Sequence, residues 1–265
     1  MYENNVKDTK DFYNDIGHIS WSVAPSQHYH VGIFELEKDS MEDAQNRTVE
    51  YMARKVAASD LDVLLDIGCG SGLTAVQISK KENCKIVGIN ISEKQLAIGK
   101  KLISKEKINS RVKLMNMDAH QLNFKSGMFD GAYALESIMH MNREKVLSEV
   151  HRVLKNGAPF SLCDWYVKKS LTPVEKRFLE TITLGKYITK EQYFSLYQTQ
   201  NFMDIEIEEW SNKILPTYKY WTTITDEMKE KLPDHLLYVI EENSKVLSDI
   251  AIEKLGYLQV NGIKR

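Results

Sequence analysis

An acidic residue followed by three alternating glycines is the part of this sequence whose chemistry is easiest to interpret. A short apolar run ends in Asp66, and Gly68, Gly70 and Gly72 follow before a helical pattern begins at Leu73. Glycines at this spacing allow backbone conformations that other residues avoid, and they let a ligand approach the backbone closely. In open α/β sheets such a turn lies beyond the carboxyl ends of the strands, where nucleotide-like cofactors bind. We therefore expect a cofactor site at this turn.

Two other glycine-rich motifs fit this turn less well. A dinucleotide site has the pattern G-x-G-x-x-G and an acidic residue roughly 20 positions later that holds the ribose. Here Leu73 stands in place of the third glycine and the predicted second strand ends in Asn90, so both positions count against NAD. A Walker-type phosphate loop has Lys and then Ser or Thr after its glycines, and that pair is absent from this turn.

Strand and helix patterns alternate along the chain on both sides of the turn. After a first strand at 64–67, the patterns predict strands at 85–90, 111–116, 129–135, 160–164, 204–210 and 257–263, and helices at 41–58, 92–105, 143–154, 173–184 and 191–199. Ser92 with Gln95, and Thr189 with Gln192, predict capping boxes. This order predicts an α/β fold with a parallel sheet and helices on both faces.

The whole chain, residues 1–265, is predicted to form one domain. We expect residues 1–60 to form an N-terminal helical lid, residues 61–165 the cofactor-binding core and residues 166–265 the C-terminal half of the sheet. Residues 216–255 are mostly helical in pattern and rich in tyrosine. A helical cap at about 212–255 is therefore expected to cover the site together with the N-terminal segment.

Size and composition restrict the classes of function. With 265 residues, 43% of them hydrophobic, the chain can bury a core, and a net charge of −2 supplies no basic surface for nucleic acid. No apolar run approaches the roughly 18 residues of a membrane span, and the polar N-terminus lacks the apolar segment of a signal peptide. Cys69, Cys84 and Cys163 have neither paired nor metal-ligand spacing. We therefore expect free thiols and a cytoplasmic protein.

Residues 60–165 resemble class I S-adenosylmethionine-dependent methyltransferases. Residues 66–72 are similar to the first motif of that family, residues 88–92 with Gln95 to the second, and residues 116–119 to the third. The resemblance implies S-adenosyl-L-methionine as cofactor and S-adenosyl-L-homocysteine as product. It also implies a Rossmann-like, doubly wound fold, with a mostly parallel seven-stranded sheet whose last strand is antiparallel.

The same resemblance implies a role for each cofactor-binding position. Asp66 helps to orient the methionine part of the cofactor, which lies against the glycine backbone. Asn90 stands where an acidic residue commonly accepts the ribose hydroxyls, and its carbonyl can accept a hydrogen bond without the help of a charge. Asp118 accepts from the adenine amino group, and the Ala119 N–H faces a ring nitrogen. The expected cofactor-binding residues are Tyr13, Asp66, Gly68, Gly70, Gly72, Asn90, Ile91, Gln95, Asp118, Ala119 and Leu135.

Methyl transfer from a sulfonium needs a well-positioned methyl acceptor, and an O–H or N–H acceptor must also lose a proton to a base. Residues 134–141 resemble a segment of natural-product methyltransferases, the sugar O-methyltransferases and their tocopherol-type relatives, in which a histidine lies near the methyl acceptor. His140 is therefore the candidate base, since an unperturbed pKa of about 6.5 suits proton abstraction near neutrality. Asp164 is expected to orient His140, stabilise its charged form or bind the methyl acceptor. Glu136 ranks second as a base, because a carboxylate needs unusual burial for that role.

The N-terminal stretch resembles the lid of the same natural-product subgroup. Tyr13 is expected to close over the cofactor. The residues expected to face the methyl acceptor are Trp21, Tyr29, His30 and Trp165. Three histidines, His18, His28 and His30, lie close together in sequence, but no carboxylate or thiol completes a metal-ligand spacing. We therefore expect no metal.

The leading hypothesis is methyl transfer to an oxygen or nitrogen of a small, natural-product-type molecule. A second is C-methylation of an olefin, prenyl diphosphate or quinone, because residues 28–33 also resemble prenyl-diphosphate methyltransferases. In that reaction Glu136 and aromatic rings would stabilise a cation, and a diphosphate would require Lys or Arg in the pocket. A phosphobase or amine N-methyltransferase is a third hypothesis, and a cofactor-binding protein without catalysis is a fourth. We expect no nucleic-acid partner, no membrane span, and a monomer or homodimer.

Overall fold

Seven strands form one sheet in the computed structural model, which describes residues 2–15, 28–56, 59–60, 62–220 and 246–265. The strands are β1 (Val63–Ile67), β2 (Lys85–Asn90), β3 (Val112–Asn116), β4 (Gly131–Leu135), β5 (Pro159–Val167), β6 (Phe202–Glu209) and β7 (Leu255–Lys264). Their order is β3-β2-β1-β4-β5-β7-β6. β7 pairs antiparallel with β5 and β6, while β1 to β5 pair in parallel. The predicted fold class is confirmed, including the antiparallel last strand.

Helices cover both faces of the sheet. They are α1 (Tyr2–Asp15), α2 (Met41–Lys55), α3 (Leu73–Glu82), α4 (Glu93–Lys105), α5 (Arg143–Val153), α6 (Pro173–Thr183) and α7 (Lys190–Thr199). One core cluster joins α2, α3 and α4 to one face through side chains such as Met52 and Leu96. The other joins α5 and α7 to the opposite face through side chains such as Val146. In β1, Leu64 belongs to the first cluster and Leu65 to the second, because successive side chains of a strand point to opposite faces.

The start of α4 differs from the predicted capping box. The Ser92 hydroxyl caps the helix by accepting a hydrogen bond from the Gln95 N–H. The Gln95 side chain does not return a bond to Ser92, because its Oε1 accepts from Asn90 Nδ2 at 2.8 Å. Gln95 is therefore part of the site at the end of β2. The box predicted at Thr189 and Gln192 is present at the start of α7.

Tertiary pairing moves the ends of predicted elements. β4 begins two residues later than predicted, since Phe129 forms only an isolated bridge. β5 runs on to Val167, because its antiparallel ladder with β7 continues to the Val167–Leu255 pair. Asp164, predicted to end this strand, therefore lies inside it. The predicted end of α2 at residue 58 lies outside the described residues.

Segments from both ends of the chain pack beside the core. α1 lies against the start of α4, where Lys10 Nζ pairs with Glu93 Oε1 at 3.1 Å and the Ser92 hydroxyl donates to Asn14 Oδ1 at 2.8 Å. Residues 215–220 and 246–254, within the predicted cap at 212–255, are helical. The intervening residues 221–245 lie outside the described part of the chain. Within the described ranges, no helix has the length and apolar character needed to cross a membrane.

Candidate active site

A cavity of about 410 Å³ lies at the carboxyl ends of the parallel strands, and its size is typical of small-molecule sites. The glycine turn, the segments after β2, β3 and β4, helix α1, residues 28–30 and residues 247–255 all contribute to its lining. Nearly all the described residues predicted for cofactor and methyl acceptor meet here. The exceptions are Gly72 and Asp164, which do not line the cavity. Trp21 lies outside the described residues.

The glycine turn needs its glycines for different reasons. Gly68 has a φ of +71°, and a Cβ there would lie 2.4 Å from Ser137 Cβ, so a side chain would displace the segment after β4. Gly70 has a φ of +54°, but a Cβ there would meet nothing within 4 Å. Because Gly70 lines the cavity, a side chain at this position would occupy ligand space. Gly72 is the N-cap of α3 and packs against Leu114 instead of facing the cavity.

Asp66 lies at the inner end of this turn and is only 3% exposed. The Tyr133 hydroxyl donates a hydrogen bond to its Oδ2 at 3.1 Å. Burial raises the pKa of Asp66 to about 7, and the bond from Tyr133 opposes that rise. A carboxyl group has further acceptor positions beyond this one bond. Asp66 can therefore also accept a hydrogen bond from a ligand in the cavity.

Asn90 is tied to the glycine turn by hydrogen bonds at the end of β2. Its Nδ2 donates to the Gly70 carbonyl at 3.1 Å and to Gln95 Oε1 at 2.8 Å. Its Oδ1 accepts from the Ile91 N–H at 2.8 Å. This carbonyl is predicted to face a ribose, whereas in the structure it faces the backbone N–H groups of Ile91 and Ser92. Ile91 and Gln95, which are also predicted to bind the cofactor, line the cavity beside Asn90.

The segment after β3 contains a residue that the sequence analysis missed. His120 Nε2 accepts from the Asn142 N–H at 2.9 Å, so its Nδ1 carries the proton and donates to Asp118 Oδ1. Burial acts to raise the pKa of Asp118, but the hydrogen bonds from His120 outweigh it and the pKa is lowered. Asp118, Ala119 and His120 all line the cavity. The sequence contains one signal for His120, because it stands two positions after Asp118, the aspartate that follows the strand.

Glu136 follows Leu135 at the end of β4 in a left-handed backbone conformation, with a φ of +51°, which is uncommon outside glycine. Its Oε1 accepts from the Val31 N–H at 2.8 Å and from the Tyr257 hydroxyl at 2.9 Å, and its Oε2 accepts from Trp165 Nε1 at 3.3 Å. Burial raises the pKa of Glu136 to about 7, although these hydrogen bonds lower it. Glu136 thus meets the burial condition that the sequence analysis sets for a carboxylate base.

His140 ends a single 3-10 turn, Ile138–His140, after β4. Its Nε2 lies 2.9 Å from the Tyr13 hydroxyl, and the two rings meet edge to face with centroids 5.5 Å apart. Burial lowers the pKa of His140 to about 4, against a smaller opposite effect of the Leu184 carbonyl. The imidazole is therefore neutral near pH 7. Tyr13 and His140 both line the cavity, so the predicted lid residue contacts the predicted base.

Asp164 points away from the cavity. Alternation along β5 places Trp165 on the cavity face and Asp164 on the face covered by α5 and α7. The Asp164 Oδ1 accepts from the Trp165 N–H at 2.9 Å, and its Oδ2 accepts from the Tyr193 hydroxyl at 2.8 Å. Burial raises the pKa of Asp164 to about 6. Asp164 is thus not in the cavity, but a hydrogen bond from the backbone of Met139, which lies in the same 3-10 turn as His140, helps to lower its pKa. The role predicted for Asp164 in orienting His140 therefore stays a prediction.

Three of the four residues expected to face the methyl acceptor line the cavity, namely Tyr29, His30 and Trp165. His28, which the sequence analysis did not assign to the acceptor site, lines it as well. His30 Nε2 lies 3.0 Å from His28 Nδ1. Burial lowers the pKa of His30 to about 4, so this ring is neutral near pH 7.

The charge of the lining bears on what the cavity can hold. Its described residues include the carboxyl groups of Asp66, Asp118 and Glu136 but no lysine or arginine. Such a lining favours a cationic or neutral ligand over a phosphorylated one. Across the described ranges, no group of three His, Cys, Asp or Glu side chains is arranged to hold a metal ion.

Comparison with known proteins identifies the core. Residues 65–162 match the family model of a methyltransferase domain. This core is a class I S-adenosylmethionine-dependent methyltransferase domain of the small-molecule type. The full chain is similar to (+)-O-methylkolavelool synthase of Herpetosiphon aurantiacus. The two are 26% identical, and the match covers 98% of this chain and 95% of that relative.

Two solved structures have the same fold as this methyltransferase. The 4+2 cyclase SpnF matches with a TM-score of 0.84 and 22% identity, over 98% of this chain and 96% of the cyclase. Geranyl diphosphate C-methyltransferase from Streptomyces coelicolor A3(2) matches with a TM-score of 0.82 and 15% identity, over 98% of each chain. These names include O-methylation, C-methylation and cyclisation, so the fold by itself does not determine the reaction.

Proposed function

We propose that this chain transfers the methyl group of S-adenosyl-L-methionine to an oxygen or nitrogen atom of a small-molecule acceptor, with His140 as the base that receives the proton. The observation that carries the proposal is the cavity in which residues of the three cofactor motifs meet His140 and Tyr13. A reaction between cofactor and methyl acceptor requires both sets of residues to face one shared space.

The residues of the cavity fit the cofactor. The space beside Gly70, which a Cβ would enter, suits close approach of a ligand to the turn. Asp66 would hold the methionine part, and Asp118, kept ionised by His120, would accept from the adenine amino group. The carboxyl groups and the lack of Lys or Arg among the described lining residues suit a sulfonium cation. When bound, S-adenosylmethionine supplies the electrophilic methyl group.

His140 has the properties of a base that is ready near neutral pH. Because burial holds its pKa at about 4, nearly all of the imidazole is unprotonated at pH 7, although the low pKa also limits its strength as a base. The Tyr13 hydroxyl occupies Nε2, so an O–H or N–H of the methyl acceptor would replace it there. The acceptor proton would then move to Nε2, and the Leu184 carbonyl, which acts to raise the pKa of His140, would help to stabilise the resulting positive charge.

Carbon methylation is a second candidate, and the surroundings of Glu136 favour it. The Trp165 and Tyr257 side chains both donate hydrogen bonds to this buried carboxyl group. A carboxylate framed by aromatic rings can stabilise a carbocation. The described lining offers no basic partner for a diphosphate, so this candidate is best supported for an acceptor without phosphate.

Paired variants distinguish the two candidates. Transfer of labelled methyl from S-adenosylmethionine to compounds in a small-molecule extract, followed by mass spectrometry, identifies a methyl acceptor. With that acceptor, His140→Gln should reduce O- or N-methylation by roughly 100-fold or more while S-adenosylhomocysteine still binds. His151→Gln, which changes a histidine of α5 outside the cavity, is the matched control. Unchanged turnover of His140→Gln at saturating substrate would remove His140 from the base role, and a larger loss in Glu136→Gln would support carbon methylation.

A further inference from the structure

His28 and His30 form a hydrogen-bonded pair whose direction is set by the backbone. His30 Nδ1 lies 2.9 Å from the Val31 carbonyl, which can only accept, so Nδ1 carries the proton. Because the buried His30 ring is neutral, its Nε2 has no proton and must accept. The partner atom, His28 Nδ1 at 3.0 Å, is therefore the donor.

This direction leaves an unprotonated nitrogen on a side chain that lines the cavity. Burial and the neighbouring His30 lower the pKa of His28 to about 2, so this ring is neutral too. With its proton on Nδ1, His28 can only accept at Nε2. That atom is buried and has no hydrogen-bond partner among the described residues, while the His28 side chain, 7% exposed, lines the cavity. Buried acceptors are nearly always satisfied in folded proteins, so this one calls for a ligand donor.

The histidine pair belongs to the wall of the cavity that holds Glu136. The Val31 N–H donates to Glu136 Oε1 at 2.8 Å. On the other side of the same peptide, the His30 carbonyl accepts from Gln45 Nε2 at 2.6 Å. These two bonds connect the segment to the residue after β4 and to α2. His28 is thereby placed on the Glu136 side of the cavity, where Trp165, which is predicted to face the methyl acceptor, donates to the same carboxyl group.

We propose that His28 is a specificity-determining residue, whose Nε2 accepts a hydrogen bond from a hydroxyl or N–H group of the methyl acceptor. This inference rests on the proposed function and narrows its substrate class to molecules that carry a donor group on a largely apolar body. A hydrocarbon without a donor would leave Nε2 unpaired, and sites built to bind a hydroxyl reject analogues that lack it. His30 is a positioning residue, because it fixes the tautomer of His28.

Phenol and toluene test this proposal, because they have similar shapes and only phenol carries a donor. Both are titrated into the full chain with ¹⁵N-labelled histidines in the presence of S-adenosylhomocysteine. The His28 Nε2 resonance should be that of an unprotonated nitrogen and should move with phenol but not with toluene. Phenol should bind about 5- to 10-fold more tightly than toluene, as expected for one hydrogen bond. His28→Phe should abolish this preference, His28→Gln should retain part of it, and the control His151→Gln should retain all of it.

Several results would overturn the proposal. They are a protonated His28 Nε2, a resonance that moves with S-adenosylhomocysteine alone, a resonance that does not respond to phenol, and a phenol preference that survives in His28→Phe. Should that variant fail to fold, the resonance of the unmodified chain still decides. A failure of S-adenosylhomocysteine to bind would contradict the proposed function itself, and is measured separately by calorimetry.

Discussion

Replacing Glu136 with glutamine should remove a pH dependence of stability that burial creates. The pKa of Glu136 is about 7 in the folded chain against an ordinary value of 4.5. Below pH 4.5 the Glu136 carboxyl group is protonated in both the folded and the unfolded chain, and its contribution to stability is fully present. As the pH rises, the unfolded chain releases this proton first, so the contribution falls and is lost as the pH passes 7. At 1.36 kcal/mol for each pKa unit, the loss between pH 4.5 and 8 is about 3 kcal/mol.

Urea unfolding at a series of pH values measures this effect as a difference between variants. The free energy of unfolding of Glu136→Gln should fall by about 3 kcal/mol less between pH 4.5 and 8 than that of the unmodified chain. The comparison cancels the contributions of Asp66 and Asp164, which both proteins retain. Glu144→Gln, on the exposed side of α5, controls for removal of a carboxylate from the surface. Equal pH profiles for Glu136→Gln and the unmodified chain would show that burial does not raise the pKa of Glu136.

Three further variants test the turn and the buried carboxyl group of β5. Gly68→Ala should lower the free energy of unfolding by roughly 2 kcal/mol or more, because a left-handed backbone is combined with a Cβ 2.4 Å from Ser137. A loss of unfolding free energy in urea no larger than that of Gly70→Ala would count against this. Gly70→Ala should mainly weaken S-adenosylhomocysteine binding in calorimetry, because its Cβ enters the cavity; unchanged affinity would show that the ligand lies elsewhere. Asp164→Asn should lower the free energy of unfolding by about 1–3 kcal/mol. It should change kcat only a few-fold, because the partners of Asp164, Tyr193 and Trp165, lie within the protein. A 100-fold loss of kcat in a folded variant would support the catalytic role predicted for Asp164.

The turn and the central strands could be predicted because their signals are local. An apolar run, an acidic residue and glycines before a helix specify the strand, the turn and the start of α3 without reference to the rest of the chain. The cofactor motifs follow successive parallel strands, so they meet at one edge of the sheet. Asp66, Asn90 and Asp118 accordingly line one cavity.

Features that depend on distant pairing could not be predicted. The end of β5 is set by its ladder with β7, where Val167 pairs with Leu255, 88 residues later in the chain. This extension places Asp164 inside the strand instead of at its end. Glu136 accepts hydrogen bonds from both Val31 and Tyr257, and these bonds join three separate parts of the sequence. The large pKa shift of Glu136 also arises from burial, which is a property of the folded molecule and has no local signal.

Cofactor binding at the glycine turn is measured by a calorimetric titration of the full chain with S-adenosylhomocysteine, repeated with Gly70→Ala. We expect saturable binding to the unmodified chain with one ligand per protein, and clearly weaker binding to the variant. No detectable binding to the unmodified chain, at concentrations and temperatures chosen to reveal a heat of either sign, would contradict the claim that the glycine turn holds this cofactor.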